Sequence, residues 1–159
     1  LIGCTTMVAC IVLQCLVVAL LLLYLRRRNA QHEQRASFFE AARLLTESML
    51  ILMLGNLVQI GVWAALFLYV GEFSDFETAY YHSTVNFSTL GYGDIVMSEH
   101  RRLLGGLEAA NGVLMFGLTT SALYAVIQGL SQRVLYQTPP KSDRRSRDDD
   151  QLEPGSNRP

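Results

Sequence analysis

The sequence predicts an all-α membrane protein with three transmembrane helices and a shorter re-entrant helix followed by an extended loop. Half of the 159 residues are hydrophobic although the net charge is only −1. The apolar residues are concentrated in three runs without a charged side chain, at 1–25, 48–71 and 109–132. Each run has the roughly 20 residues that a helix needs to cross a ~30 Å hydrocarbon core. A soluble domain would instead place polar residues at every helical turn.

The first run, residues 1–25, predicts an additional transmembrane helix. A cleaved signal peptide is the alternative, but its positive charges would precede the apolar run and small residues would end it. Here the arginines at 26–28 follow the run. The run contains no arginine, so it lacks the charges of a voltage-sensing helix. Its three cysteines have neither zinc-site nor disulfide spacing and are interpreted as packing residues: Cys4, Cys10 and Cys15.

Basic residues predict the orientation in the membrane. The connection at 26–47 carries five arginines and is predicted to be a cytoplasmic loop, whereas the stretch 71–99 has no lysine or arginine and five acids. The positive-inside rule then places the N-terminus outside and the tail, residues 131–159, in the cytoplasm. This tail contains all four prolines and is predicted to be disordered. Arg101 and Arg102 are exceptions that can reach the outer headgroups.

A segment too short to cross the membrane lies between the second and third runs. Residues 76–88 contain no glycine or proline and predict a helix of ~20 Å. The loop 89–94, of sequence TLGYGD, follows at once, and the chain must return to the outer surface by Arg101. Non-helical backbone at membrane depth is tolerated only where protein buries it or where it lines a watery cavity. Its carbonyl groups need a polar partner, and a dehydrated cation is one.

Two glycines predict the conformation of this loop. Gly91 and Gly93 are expected to adopt positive φ, which lets successive carbonyl groups face one axis. Leu90 and Tyr92 then point away from that axis, and the hydroxyl of Thr89 joins its carbonyl at the inner end. The C-terminal end of the short helix adds a negative dipole that favours a cation below the loop.

Three features carry a resemblance to a known family: the TLGYGD motif, the aromatic-rich helix before it, and a following span with Gly112 and the sequence FGL at 116–118. Together they resemble the potassium-channel pore family, in particular small prokaryotic two-span channels. The resemblance covers about half of the chain, within an ion-channel pore domain at 48–130. Its parts follow the family order: outer helix 48–71, pore helix 76–88, filter 89–94 and inner helix 103–130.

The resemblance implies a potassium-selective channel subunit that conducts K⁺ passively as a homotetramer in the plasma membrane of a prokaryote. Membrane lipids and K⁺ are the other expected partners, with no nucleic acid, no cofactor and no enzymatic activity. K⁺ is expected at Thr89, Leu90, Gly91 and Tyr92, and Gly93 completes the filter. The alternatives are a weakly selective cation channel and an accessory membrane subunit without its own conductance.

Residues around the filter differ from the family pattern. Leu90 stands where the family most often has valine. Val85 occupies the place where some relatives have an acid that binds the aspartate after the filter, so Asp94 needs another partner. Tyr81 and His82 occupy positions where aromatic rings brace the filter tyrosine. His82 is interpreted as a structural histidine, with pH sensitivity as the alternative.

The third span contributes the remaining candidates. Glu108 is predicted to brace the pore helix through one of three polar residues, Ser83, Thr84 or Asn86. Gly112 and Gly117 are predicted to form a hinge, with close helix packing as the alternative. The alternatives for Thr119 and Thr120 are that they line the inner cavity or that they bond their own helix backbone.

Overall fold

The computed structural model describes residues 1–31 and 38–136. These residues form four α-helices and, within the described ranges, no strand. The helices are α1 (Ile2–Gln31), α2 (Phe38–Tyr69), α3 (Phe76–Phe87) and α4 (Arg102–Tyr136). Three of them are long and apolar enough to cross a membrane, over Ile2–Arg28, Phe39–Tyr69 and Arg102–Ser131. The predicted all-α membrane fold is confirmed.

The turn from α2 into α3 has a defined cap at each side. Gly71 adopts φ +72, and the amide of Glu72 donates to the carbonyl of Phe67 while that of Gly71 donates to Leu68. This pattern ends a helix with a left-handed glycine. Four residues later the Asp75 side chain accepts a hydrogen bond from the Thr78 amide at 2.8 Å and caps the start of α3.

The three long helices α1, α2 and α4 pack together as a bundle. Near its first turn Gly3 lies against the side chains of Leu104 and Leu107 on α4. Near the other end, Leu21 of α1, Leu52 of α2 and Val126 of α4 form one buried cluster. Helices α1 and α4 are therefore parallel, and α2 is antiparallel to both.

Side-chain amides join α1 to the rest of the bundle. Gln14 accepts a hydrogen bond from Gln59 at 2.6 Å and donates one to the hydroxyl of Thr119 at 3.0 Å. Asn56 donates to the same hydroxyl at 3.3 Å. The hydroxyl of Thr119 thus accepts bonds from both α1 and α2, while the two predicted alternatives for this residue stay predictions.

The helix ends differ from the predicted boundaries. Helix α1 continues to Gln31 and α2 begins at Phe38, so most of the predicted loop at 26–47 is helical; residues 32–37 lie outside the described residues. The segment has no glycine or proline, and its Arg, Glu, Ala and Leu residues favour helix. Helix α4 runs past residue 130 to Tyr136, and residues 131–136 likewise contain no glycine or proline. The predicted disordered tail from residue 137 onward lies outside the described residues.

Candidate functional site

Helix α3 is wedged between α2 and α4, and its C-terminal end approaches α4 very closely. A Cβ atom added at Gly112 would overlap the carbonyl oxygen of Phe87 and would lie 2.8 Å from its carbonyl carbon. The Phe87 ring also meets the ring of Phe116 edge-on, with 5.6 Å between centroids. Gly112 therefore allows α4 to pack closely against the end of α3. A hinge at this residue stays a prediction.

The backbone after α3 has positive φ at every second residue. Thr89, Gly91 and Gly93 have φ of +61, +56 and +75, while Leu90 and Tyr92 between them do not have positive φ. The predicted left-handed conformation of both glycines is confirmed, and Thr89 shares it. Alternation of this kind turns successive amide groups to one side of the chain and carbonyl groups to the other.

The amide groups of this loop turn back toward α3. Thr89 donates to the Asn86 carbonyl at 2.9 Å, and the amides of Leu90 and Gly91 both donate to the Val85 carbonyl at 3.0 and 3.3 Å. These bonds satisfy carbonyl groups that the end of a helix leaves without partners. The first part of the loop is thus held to the helix by its donors, which leaves its carbonyl oxygens for another partner.

The large side chains of the loop are uncovered in the single chain. Leu90 is 57% exposed and Tyr92 is 67% exposed. A cavity of 230 Å³ lies beside the loop, lined by α3 and the start of α4; its walls include Val85, Gly91 and Gly105. Within one chain, therefore, Leu90 and Tyr92 do not pack behind the loop as expected.

Asp94 finds its partner one turn before Val85 on α3. The hydroxyl of Tyr81 donates a hydrogen bond to Oδ2 of Asp94 at 2.7 Å. This bond lowers the pKa of Asp94 below its ordinary value and raises that of Tyr81. Within the chain Tyr81 therefore supports Asp94 at the end of the loop rather than Tyr92 inside it.

His82 is a buried structural residue at the back of the loop. Its ring lies edge-on to Phe67, with centroids 5.6 Å apart, and tilted over Phe73 at 5.0 Å. Burial lowers its pKa, against the opposing effects of a hydrogen bond to the Ile95 backbone and of two nearby acids. The histidine thus packs α3 against α2 and against the turn that precedes α3.

Glu108 is fully buried and contacts the pore helix as predicted. The Asn86 amide nitrogen donates to Oε2 of Glu108 and to the carbonyl of Gly105, each at 2.8 Å. Thr84 instead donates to the Tyr80 carbonyl of its own helix. Of the candidate partners, Asn86 is the one that ties α3 to α4, and Ser83 is buried on the same helix.

A second brace was not foreseen from the sequence. The Glu72 carboxylate accepts bonds from the Ser98 amide and hydroxyl at 2.6 and 2.8 Å and from Arg101 at 3.0 Å. Desolvation raises the pKa of Glu72, but the bonds together lower it by more. The pKa of Glu72 therefore lies below its ordinary value. Arg102 pairs with Glu99 at 3.6 Å. The two arginines that break the positive-inside pattern are therefore paired with acids at this end of the bundle.

The remaining predicted residues lie further along α4. The Thr120 hydroxyl donates to the Phe116 carbonyl at 2.9 Å, and the residue is exposed. A Cβ atom at Gly117 would meet nothing within 4 Å. Nothing in the described chain packs on Gly117, in contrast to Gly112.

The fold and the site define an all-α membrane protein in which two spans flank a re-entrant helix and an extended glycine-containing loop. In the part of the chain that the structure describes, no group of three or more His, Cys, Asp or Glu side chains is placed to hold a metal ion. A family model described as an ion channel matches residues 48–129. The match covers 82 of the 159 residues, and the chain belongs to this ion channel family, which makes it a channel subunit.

Two further comparisons returned no relative. Neither the curated proteins nor the solved structures contain a significant match to this chain. The family match begins at residue 48 and so does not include α1.

Proposed function

We propose that this chain is the pore-forming subunit of a potassium-selective channel and that K⁺ binds to the carbonyl oxygens of Thr89, Leu90, Gly91 and Tyr92. The observation that carries the proposal is the left-handed backbone at alternate positions 89, 91 and 93. With the amides of residues 89–91 donated to α3, the oxygens of the loop are the groups left to replace the hydration shell of an ion. Carbonyl rings of this kind select K⁺ in channels.

Several copies are required to complete such a site. One chain supplies one loop, whereas a ring of carbonyl oxygens needs loops arranged around an axis. The exposed Leu90 and Tyr92 support this, because a neighbouring copy would cover apolar surface that the single chain leaves open. We propose a homotetramer, as in the pore family that the sequence resembles.

Charge and the direction of α1 support the orientation that we propose. Gly3 lies beside Leu104 and Leu107, so the first turn of α1 is on the same side of the bundle as the loop. Arg26, Arg27 and Arg28 end the first span at the other side. By the positive-inside rule we place the N-terminus and the loop outside and the end of α4 in the cytoplasm, in the plasma membrane.

Flux into liposomes tests the proposed conductance. The reconstituted wild-type protein is expected to take up K⁺ and not Na⁺ down their gradients. Gly91→Ala should abolish K⁺ flux, because alanine at φ +56 is strained by about 1–2 kcal/mol per subunit. Gly106→Ala is the matched control, since its added methyl group meets nothing within 4 Å and its helix favours alanine.

Two results would contradict the proposal. Equal uptake of Na⁺ by the wild type would indicate the weakly selective channel, for which the Leu90 position is the first place to look. No uptake of either ion by wild-type tetramers would contradict conduction by this chain and favour the accessory subunit.

A further inference from the structure

An apolar groove lies between α1 and α4 near the ends of these helices that carry Arg26 and Leu130, and Leu44 of α2 also lines it. Its volume is 550 Å³, within the ~300–1,000 Å³ range of ligand sites in proteins. The walls are almost entirely aliphatic, and the exception is Arg26 at the edge. The residues that shape it are Ala19, Leu22, Leu23, Arg26, Ala125 and Gly129.

The sequence explains why the two helices leave this space open. Positions 19, 22, 23 and 26 follow the spacing of one helix face, so the α1 wall is continuous. Two of the small residues, Ala19 on α1 and Ala125 on α4, add little bulk between the helices. A Cβ atom at Gly129 would meet nothing within 4 Å. Small side chains on both helices therefore keep the groove open.

The groove lies at the depth where a bilayer changes from acyl chains to headgroups. The first membrane span ends at Arg28, two residues beyond Arg26, while Ala19 lies about 10 Å deeper along the helix axis. An aliphatic groove at that depth excludes water, and in a membrane an acyl chain is the available occupant.

The charge at the edge of the groove favours one class of lipid. Arg28 is engaged by Glu47 at 3.8 Å and by the Tyr24 hydroxyl at 3.0 Å. Arg26, in contrast, is exposed and forms no ion pair with a residue of the described ranges. A free guanidinium binds phosphate through two parallel hydrogen bonds, and basic pockets at helix ends attract anionic headgroups.

We propose that this groove binds an anionic phospholipid, with the acyl chain against Leu22, Leu23 and Gly129 and the headgroup phosphate on Arg26. A zwitterionic lipid carries its own cation and gains less from the arginine. The proposal goes beyond ion conduction, since it requires only that the chain lies in a membrane. It gives α1, which the family match does not include, a role as one wall of a lipid site.

Thermal unfolding of the full chain in detergent micelles tests the proposal. Dioleoylphosphatidylglycerol should raise the unfolding midpoint of the wild type in a saturable manner, and dioleoylphosphatidylcholine should not. Arg26→Gln should require about fivefold more phosphatidylglycerol for the same shift, the equivalent of about 1 kcal/mol for one arginine at a lipid surface. Arg27→Gln is the matched control, because it removes the same charge from a neighbour outside the groove.

Filling the groove provides the second arm. Gly129→Leu should abolish the phosphatidylglycerol shift while preserving the fold, since leucine favours helix. Ala125→Leu serves the same purpose if that variant is poorly expressed. Three results would overturn the proposal: equal shifts with both lipids, equal losses in Arg26→Gln and Arg27→Gln, or an unchanged lipid shift in both groove-filling variants. A fall in oligomer size in Gly129→Leu without any lipid dependence would assign the groove to a second copy and overturn it as well.

Discussion

The hydroxyl of Tyr81 lies 2.7 Å from Oδ2 of Asp94 and joins the middle of the re-entrant helix to the last residue of the TLGYGD loop. The side chain of Val85, one turn further along the same helix, has no polar atom that could bond the aspartate. The loop is therefore anchored at its beginning by backbone bonds to α3 and at its last residue by one side-chain bond.

Removal of that bond should weaken the outer end of the loop. Tyr81→Phe keeps the ring and deletes the hydroxyl, so the pKa of Asp94 should rise toward its ordinary value and K⁺ flux should fall severalfold. Tyr80→Phe is the control, because the Tyr80 hydroxyl makes only a long 3.4 Å contact with the Leu57 carbonyl. Flux assays on both variants in liposomes measure the difference, and equal flux in the two would refute an anchoring role for Tyr81.

Substitution of Gly112 should distort the pore helix. The methyl group of Gly112→Ala would overlap the Phe87 carbonyl oxygen, and relief of such overpacking costs about 1–3 kcal/mol. Thermal unfolding of the assembled protein should show a lower midpoint for Gly112→Ala than for Gly117→Ala, whose added methyl group meets open space. A purely hinge-like Gly112 would instead change open probability and leave the midpoint where it was.

The buried bond between Asn86 and Glu108 should contribute to stability. Asn86→Ala leaves the Glu108 carboxylate and the Gly105 carbonyl without their 2.8 Å donor, and an unsatisfied buried group costs about 1–3 kcal/mol. Glu108→Gln should cost less because it keeps an acceptor oxygen. Chemical unfolding in micelles gives the free energies. The exposed pair of Glu99 and Arg102 is the control, since Glu99→Gln should change stability by less than about 1 kcal/mol.

Acid should destabilise the protein through His82. Burial lowers the pKa of this histidine, so near the unfolded pKa of about 6.5 the unfolded state binds more protons and stability falls as pH falls. Between about pH 8 and pH 5 the loss is at most about 1.4 kcal/mol per pH unit. The groups that face the ring are Phe67, Phe73, Glu72 and Asp94.

Two glutamine variants separate the contribution of His82 to the pH dependence of stability from that of other titratable groups. His82→Gln should flatten the pH dependence of the unfolding midpoint over that range. His100→Gln, at an exposed position, should leave the wild-type slope. A slope that His82→Gln does not change would assign the acid effect to other groups.

The amide cluster of α1 should hold this helix on the pore domain. Thr119→Val removes the hydroxyl that accepts from Gln14 and Asn56. The expected cost is about 0.6–1.7 kcal/mol, the range for hydrogen bonds between membrane helices. Thr120→Val is the control, since Thr120 bonds only its own helix. If thermal unfolding gives the same midpoint for both variants, the cluster does not fasten α1.

The parts of the fold that local sequence dictates were predictable, whereas contacts between distant segments were not. Charge-free runs gave the three spans, and the glycines gave the positive φ of Gly91 and Gly93, because both signals lie within the segment itself. The same reasoning missed the left-handed Thr89, which alternation along the loop imposes on a residue that does not favour it.

The side-chain partners divide in the same way. Asn86 was among the candidates for Glu108 because a buried acid in a span needs a donor on the adjoining helix. The bond between Glu72 and Arg101 joins residues 29 apart, and no periodicity signals it. Gln14 was the detectable exception: a lone amide in an otherwise aliphatic part of the first span predicts a polar partner on another helix.

The reversal potential of a planar bilayer with K⁺ on one side and Na⁺ on the other tests the central claim most directly. A potassium-selective filter at Thr89 to Gly93 predicts a reversal potential far from zero, of the sign that opposes K⁺ flow, and its disappearance with the current in Gly91→Ala. A wild-type current that reverses near zero under the same conditions would contradict potassium selectivity.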